Sequence, residues 1–213
     1  MLIQKYLAEL VGTFALVFFG AGAAIMSSDI VAVALTFGFV ALAMVYVFGG
    51  ISGAHINPAV TIALLFDKKI NFSSAIGYIV FQLFGAFLAA LVLELTIASD
   101  KLVEQGVTVL SSGISPLQGF FIEVILTALL VLVVLAFIRQ DGGKPIVGGA
   151  VIGLVIALDI LMAGGLTGAS MNPARTFGPA LVSGLWTDHW VYWAGPIIGG
   201  LVALAISKIW RAK

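Results

Sequence analysis

The sequence predicts an all-α membrane protein, with six transmembrane helices plus two re-entrant half-helices in an inverted tandem repeat. Three observations carry this. Of the 213 residues, 62% are apolar and only 9% are charged, against roughly 45–50% and about 25% in an average soluble domain. Six apolar runs are long enough to cross a bilayer, whose core of about 30 Å takes roughly 20 helical residues. One 13-residue stretch also occurs twice, at an offset of 115 residues.

So little charge cannot wet the surface of a soluble globule of this size. It excludes an ordinary cytosolic enzyme, a disordered chain and a nucleic-acid binder. The 10 basic and 10 acidic residues cancel, so no polycation awaits nucleic acid. Absence of cysteine removes disulfides, thiolate metal sites and cysteine nucleophiles. The two histidines, His55 and His189, stand too far apart in sequence to suggest a metal cluster. No nucleophile, acid–base pair or metal constellation points to an enzyme, and no cofactor is expected.

The six runs fall at about 5–25, 31–50, 75–97, 117–138, 146–166 and 190–210. The first is as long as a full span and reads as one rather than as a cleaved leader. Segments 57–66 and 172–183 begin with Asn-Pro and are too short to span, which suits re-entrant half-helices. Orientation follows from the cations. Lys5, Lys68, Lys69, Arg139, Lys144, Lys208, Arg211 and Lys213 fall on one side of a six-span arrangement, while the opposite loops carry Asp29, Asp100, Lys101, Glu104 and Asp188. The positive-inside rule then makes this a multi-pass protein of the cell membrane with both termini cytoplasmic.

The repeat organises the chain. Gly49–Thr61 and Gly164–Thr176 share Gly-Gly, Gly-Ala, Asn-Pro-Ala and Thr in register. Glu9 and Glu123 match at an offset of 114, as do Gly85 and Gly199. Each half, about 1–100 and 115–213, holds three spans and one short segment, joined by a loop near 98–116 into a single domain over 1–213. Three is odd, so the second half enters the membrane from the opposite face and the repeat is inverted.

The repeated motif has a physical logic. Proline costs no hydrogen bond in a helix's first turn, and asparagine before it is a good N-cap. Asn57-Pro58-Ala59 and Asn172-Pro173-Ala174 therefore each start a helix. The preceding Gly-rich stretches cannot be regular helix, so their carbonyls must be buried in protein or line water. Inversion brings two helix N-termini to face each other near the midplane, each carrying roughly half a positive charge. Such a centre repels cations and protons. Once capping fixes each asparagine, its amide NH₂ is expected to project free into a lumen.

Arg175 lies in an apolar segment, where arginine is costly. Either its fork donates to passing solute and repels cations, or it pairs with a buried carboxylate. Glu9 and Glu123 likewise admit two readings: a proton relay or coupling-ion site, or acceptors for the backbone N–H groups of the broken loops. His55 either lines the lumen or packs in its loop. His189, beside Asp188, reads as a solvated surface residue. Asp159 adjoins Ile160 but points about 100° around the helix, which leaves a subunit interface or a pairing partner.

Ser52–Thr61, Gly168–Ala180 and Ala8–Phe14 together resemble the aquaporin, or major intrinsic protein, family, and the resemblance covers essentially the whole chain. It implies an aquaporin-like bundle with one pore per subunit, a homotetramer in the bilayer, and water as permeant. Counted from the motifs, the family's narrow filter falls on Phe37, Ile160, Ala169 and Arg175, a combination most similar to archaeal members. Pore lining falls on Gly53, Ala54, His55, Val60, Gly168 and Ser170, and loop support on Glu9 and Glu123. Strict water channels of the family typically carry histidine at the Ile160 position; glycerol facilitators carry a second aromatic and commonly an Asp after the arginine, where this chain has Thr176. The resemblance thus implies a water channel excluding protons and ions, with slower passage of glycerol, other small neutral solutes or dissolved gases. A glycerol-type facilitator is the alternative within the class; an ion-coupled transporter and an anion channel are the alternatives outside it.

Overall fold

The computed structural model describes residues 2–97, 106–140 and 145–209. Eight helices run through them: α1 (Leu2–Met26), α2 (Ile30–Phe48), α3 (Pro58–Phe66), α4 (Phe72–Thr96), α5 (Pro116–Gln140), α6 (Pro145–Thr167), α7 (Pro173–Ser183) and α8 (Val191–Ile209). Six are long and apolar enough to cross a membrane. The other two, α3 and α7, are the half-helices, beginning one residue after the expected position because Asn57 and Asn172 are the caps themselves. Of the charged residues used for orientation, Asp100, Lys101, Glu104, Lys144, Arg211 and Lys213 lie outside the described residues.

Side-chain caps fix the ends. Asp29 accepts from the Val31 N–H at 2.9 Å and Asn71 from the Ser74 N–H at 2.8 Å, each satisfying a donor the first turn leaves orphaned. Gly184 ends α7 in the left-handed region, φ 75°.

Packing obeys the repeat. Helix α1 lies along α4 and α5 along α8, while α2 crosses α6 between the halves. The half-helices interlock crosswise: α3 packs mainly on α8 and α7 mainly on α4. Small residues allow these approaches. A methyl group at Gly85 would lie 2.3 Å from the Leu10 carbonyl oxygen, and one at Gly199 2.4 Å from that of Val124, the same contact at an offset of 114. Gly38 and Gly153, an offset of 115, meet each other: a methyl on Gly153 would lie 2.4 Å from the Gly38 oxygen, and the reverse distance is 2.7 Å. Two equivalent residues in contact mark the pseudo-two-fold axis. Backbone cannot yield there as a side chain could, so Gly153→Ala is expected to cost about 1–3 kcal/mol, the usual range for overpacking. A lower thermal midpoint in detergent checks this; an unchanged midpoint refutes it.

Large apolar side chains such as Phe19, Phe39, Leu95, Leu154, Leu158 and Met162 stand on the outer surface, as a bundle solvated by lipid requires. His189 differs from expectation. It is half-buried, accepts a hydrogen bond from Trp193 Nε1 at 3.0 Å through Nε2, and meets Trp186 edge-on. Burial lowers its pKa below the usual value and favours the neutral form that can accept.

Candidate functional site: a pore between two half-helices

The two Gly-rich loops are built from unusual backbone. Gly53, Ala54 and Ile56 have φ of 91°, 48° and 41°, and their counterparts Gly168, Ala169 and Met171 have 80°, 42° and 53°. A non-glycine residue in the left-handed region costs roughly 1–2 kcal/mol, and a β-branched one such as Ile56 is a clear outlier. Something must hold these turns.

The two buried glutamates do. Glu9 Oε1 accepts from Ser52 Oγ at 2.6 Å and the His55 N–H at 2.9 Å; its Oε2 accepts from the Ile56 N–H and Gln82 Nε2, both at 2.7 Å. Glu123 Oε1 accepts from Thr167 Oγ1 at 2.7 Å and the Ser170 N–H at 2.9 Å, and Oε2 from the Met171 N–H at 2.7 Å. Of the two readings open to these residues, this is the loop-bracing one. With these N–H groups turned toward a carboxylate, the carbonyls of Gly53, Ala54, His55, Gly168, Ala169 and Ser170 accept from no donor among the described residues.

Sequence reasoning missed the rest of the brace. Tyr78 donates to the Ser52 carbonyl at 2.7 Å and Tyr192 to that of Thr167 at 2.8 Å. Ser52 and Thr167 hydroxyls accept from the Ala54 and Ala169 N–H groups at 3.0 and 3.1 Å. His55 Nδ1 lies 3.1 Å from Thr61 Oγ1, and Ser170 Oγ is hydrogen-bonded to Thr176 Oγ1. The signal was present: Ser52/Thr167 and Tyr78/Tyr192 keep the 115 and 114 offsets.

Both asparagines cap as expected. Asn57 Oδ1 accepts from the Ala59 N–H at 2.8 Å; Asn172 Oδ1 accepts from Ala174 and Arg175 at 3.0 and 3.3 Å. Their amides are not wholly free, which corrects the expectation. Asn57 Nδ2 donates to the Met171 carbonyl at 2.8 Å, and Asn172 Nδ2 to that of Ile56 at 2.9 Å. Each half thus pins the loop of the other. One N–H of each NH₂ is spent on this brace and one remains.

A cavity of about 340 Å³ runs past these groups. Phe37, Ile160, Ala169 and Arg175 all line it, together with Asn57, Asn172, Gly53, Ala54, His55, Val60 and Ser170. Gly168 does not border it, contrary to expectation; a methyl there would lie 3.0 Å from Thr108 Cγ2. Pro58, Ala59, Pro173 and Ala174 are buried behind the wall as the first turns of α3 and α7. Arg175 donates from Nη1 to the Gly106 carbonyl at 3.3 Å, and its Cζ lies 5.2 Å from the centre of the Phe37 ring. Those contacts leave other guanidinium N–H groups for the lumen. Asp159 is 4% exposed, with Oδ2 unbonded. No hydrogen-bond donor or cation pairs with it among the described residues, so the pairing reading finds no partner there.

Comparison with known proteins agrees with this geometry. The chain is 37% identical to the glycerol uptake facilitator protein-like 6 of Lactiplantibacillus plantarum, over 97% of this chain and 98% of that one. It is 40% identical to aquaporin TIP4-4 of Zea mays, over 99% and 88%. The X-ray structure of the aquaglyceroporin from Plasmodium falciparum superposes with a TM-score of 0.87 at 28% identity, over 98% of this chain and 97% of that one. The family model described as Major intrinsic protein matches residues 1–206, and the chain belongs to that family.

Proposed function

We propose that this chain is a passive transmembrane water channel that excludes protons and ions. One observation carries the reading: two half-helix N-termini meet tip to tip, cross-pinned by Asn57 and Asn172, between two runs of unpaired carbonyls. Water needs both acceptors and donors along its path. The carbonyls of Gly53, Ala54, His55, Ala169 and Ser170, which border the cavity, accept its protons, and the remaining N–H of each asparagine donates to its oxygen. A water whose oxygen serves both amides is a poor acceptor for a neighbour's proton, which breaks the relay. The positive helix ends and Arg175 oppose cations. The homologues named aquaporin support water as permeant.

The same reading makes the protein a homotetramer in the cell membrane, with both termini cytoplasmic, and a channel rather than an enzyme. A glycerol facilitator is the second reading. Two observations favour it: Ile160 gives the filter an apolar wall, and a relative is named for glycerol uptake. Light scattering from proteoliposomes in a stopped-flow instrument separates the two. An impermeant osmolyte is expected to give shrinkage much faster than in empty liposomes, and glycerol slow re-swelling. Fast re-swelling would move the protein to the facilitator class; water flux equal to that of empty liposomes, with the protein inserted, would overturn the channel reading.

A further inference from the structure

The charged side chains that border the cavity are of one sign, with Glu9 and Glu123 set behind the loops. Arg175 stands at one end of the cavity, Lys69 borders the other, and two helix N-termini meet between them. That arrangement answers for cations but invites anions, so something else must stop chloride-sized ions.

The pseudo-two-fold axis indicates what. It passes between Gly38 and Gly153, which fixes the α2/α6 correspondence at an offset of 115, the value that also relates the two loops. Applied to Phe37, Ile160, Ala169 and Arg175, that offset gives Ile152, Val45, Ala54 and Val60. All four of these line the same cavity on the Lys69 side of the asparagines. Inversion therefore builds a second ring of side chains, equivalent in position to the first. It differs in chemistry at one place above all: valine replaces arginine. The neighbouring wall is apolar as well, since Gly20 near the outer ring is replaced at the 114 offset by Val134, which borders the cavity. The adjoining polar side chains offer the lumen no donor: Ser52 donates to Glu9, and the Thr61 hydroxyl donates to the Asn57 carbonyl, so His55 Nδ1 is the donor to Thr61 and Nε2 of the neutral ring is an acceptor.

We propose that Val45, Val60, Ala54 and Ile152 form the barrier to anions in this pore. An anion reaching the ring must give up hydration where no side chain donates a hydrogen bond, and the Ala54 and His55 carbonyls offer it only negative dipoles. Water crosses at lower cost, because it keeps those carbonyls as acceptors and its file neighbours as partners. Anion exclusion is thus set on the half of the pore away from Arg175, and the inference rests on the channel reading above.

The test adds hydroxyls without changing shape. Val45→Thr, Val60→Thr and the double variant are reconstituted beside the wild type. Osmotic water flux and iodide entry, the latter by quenching of an entrapped fluorophore, are read on the same vesicles. Wild type is expected to pass water and exclude iodide. The double variant is expected to raise the ratio of iodide entry to water flux, read on the same vesicles, by about tenfold or more, the ratio that a barrier lower by about 1.4 kcal/mol gives. Phe37→Ala, which enlarges the outer ring without adding a donor, is expected to leave iodide excluded. A double variant that passes water and still excludes iodide would overturn the inference alone; iodide entry through the wild type would overturn it together with the ion exclusion of the channel reading. Absence of water flux in the inserted wild type would overturn the channel reading and this one with it.

Discussion

Glu123→Ala is expected to remove most of the folded, water-conducting protein. The carboxylate is fully buried and accepts from Thr167 Oγ1 and from the N–H groups of Ser170 and Met171. Alanine leaves those donors inside the bundle with no acceptor. A buried donor left unsatisfied costs about 1–3 kcal/mol, so three approach the whole stability of a typical domain, about 5–15 kcal/mol. The left-handed turns at Ala169 and Met171 would lose the contacts that hold them. A lower yield of folded protein, a lower thermal midpoint and water flux near that of empty liposomes are the expected readings. Glu123→Gln keeps one acceptor but turns an NH₂ toward N–H groups, so it should fall between alanine and wild type. A Glu123→Ala protein with wild-type midpoint and flux would show that the Asn57, Tyr192 and Thr167 contacts hold the loop without the carboxylate.

How much of this brace was legible depends on its reach. Asn57 and Asn172 announce themselves because capping is local: the residue, the proline after it and the first-turn N–H groups all lie within four positions. Glu9 and Glu123 were legible as a pair because a charged residue in a span is rare and the repeat shows it twice. Tyr78 and Tyr192 obey the same offset, yet a tyrosine in an apolar helix has an ordinary reading at the lipid interface, and nothing local points its hydroxyl at a loop carbonyl. The second role of the asparagine amides is a contact across 114 and 116 residues. It exists only once the halves have met, so no spacing rule within one half could supply it. Gly168 failed for a related reason: its backbone matches Gly53, but Thr108 covers the position. Symmetry of sequence fixed the loop's path and not its neighbours. Nothing in the structure explains the unbonded Asp159 Oδ2.

At the outer ring, Gly20 and Phe37 should move permeation in opposite directions. The Phe37 ring rests against Gly20 so closely that a methyl there would lie 2.2 Å from Cε1 and 2.3 Å from Cζ. The backbone of α1 cannot give way toward α4, because Gly85 already packs on the Leu10 carbonyl. In Gly20→Ala the ring must therefore swing toward the lumen and Arg175, whose Cζ is 5.2 Å from its centre. Water flux is expected to fall several-fold with the fold intact. Phe37→Ala does the reverse. Truncating a buried phenylalanine usually costs about 3–5 kcal/mol, but this ring borders the pore, and water can fill part of the space. Arg175 loses a cation–π contact worth about 0.5–2 kcal/mol and keeps the Gly106 carbonyl. Glycerol entry should then rise by about tenfold, a barrier change of about 1.4 kcal/mol, because the aperture widens where the carbon chain must pass. The double variant decides whether the two residues act through one contact. If the methyl at Gly20 acts only by pushing the ring, it has nothing to push once the ring is gone, and Gly20→Ala/Phe37→Ala should match Phe37→Ala alone. Additive effects on water flux would mean that the methyl distorts α1 itself, and that Phe37 is not the part of the filter Gly20 controls.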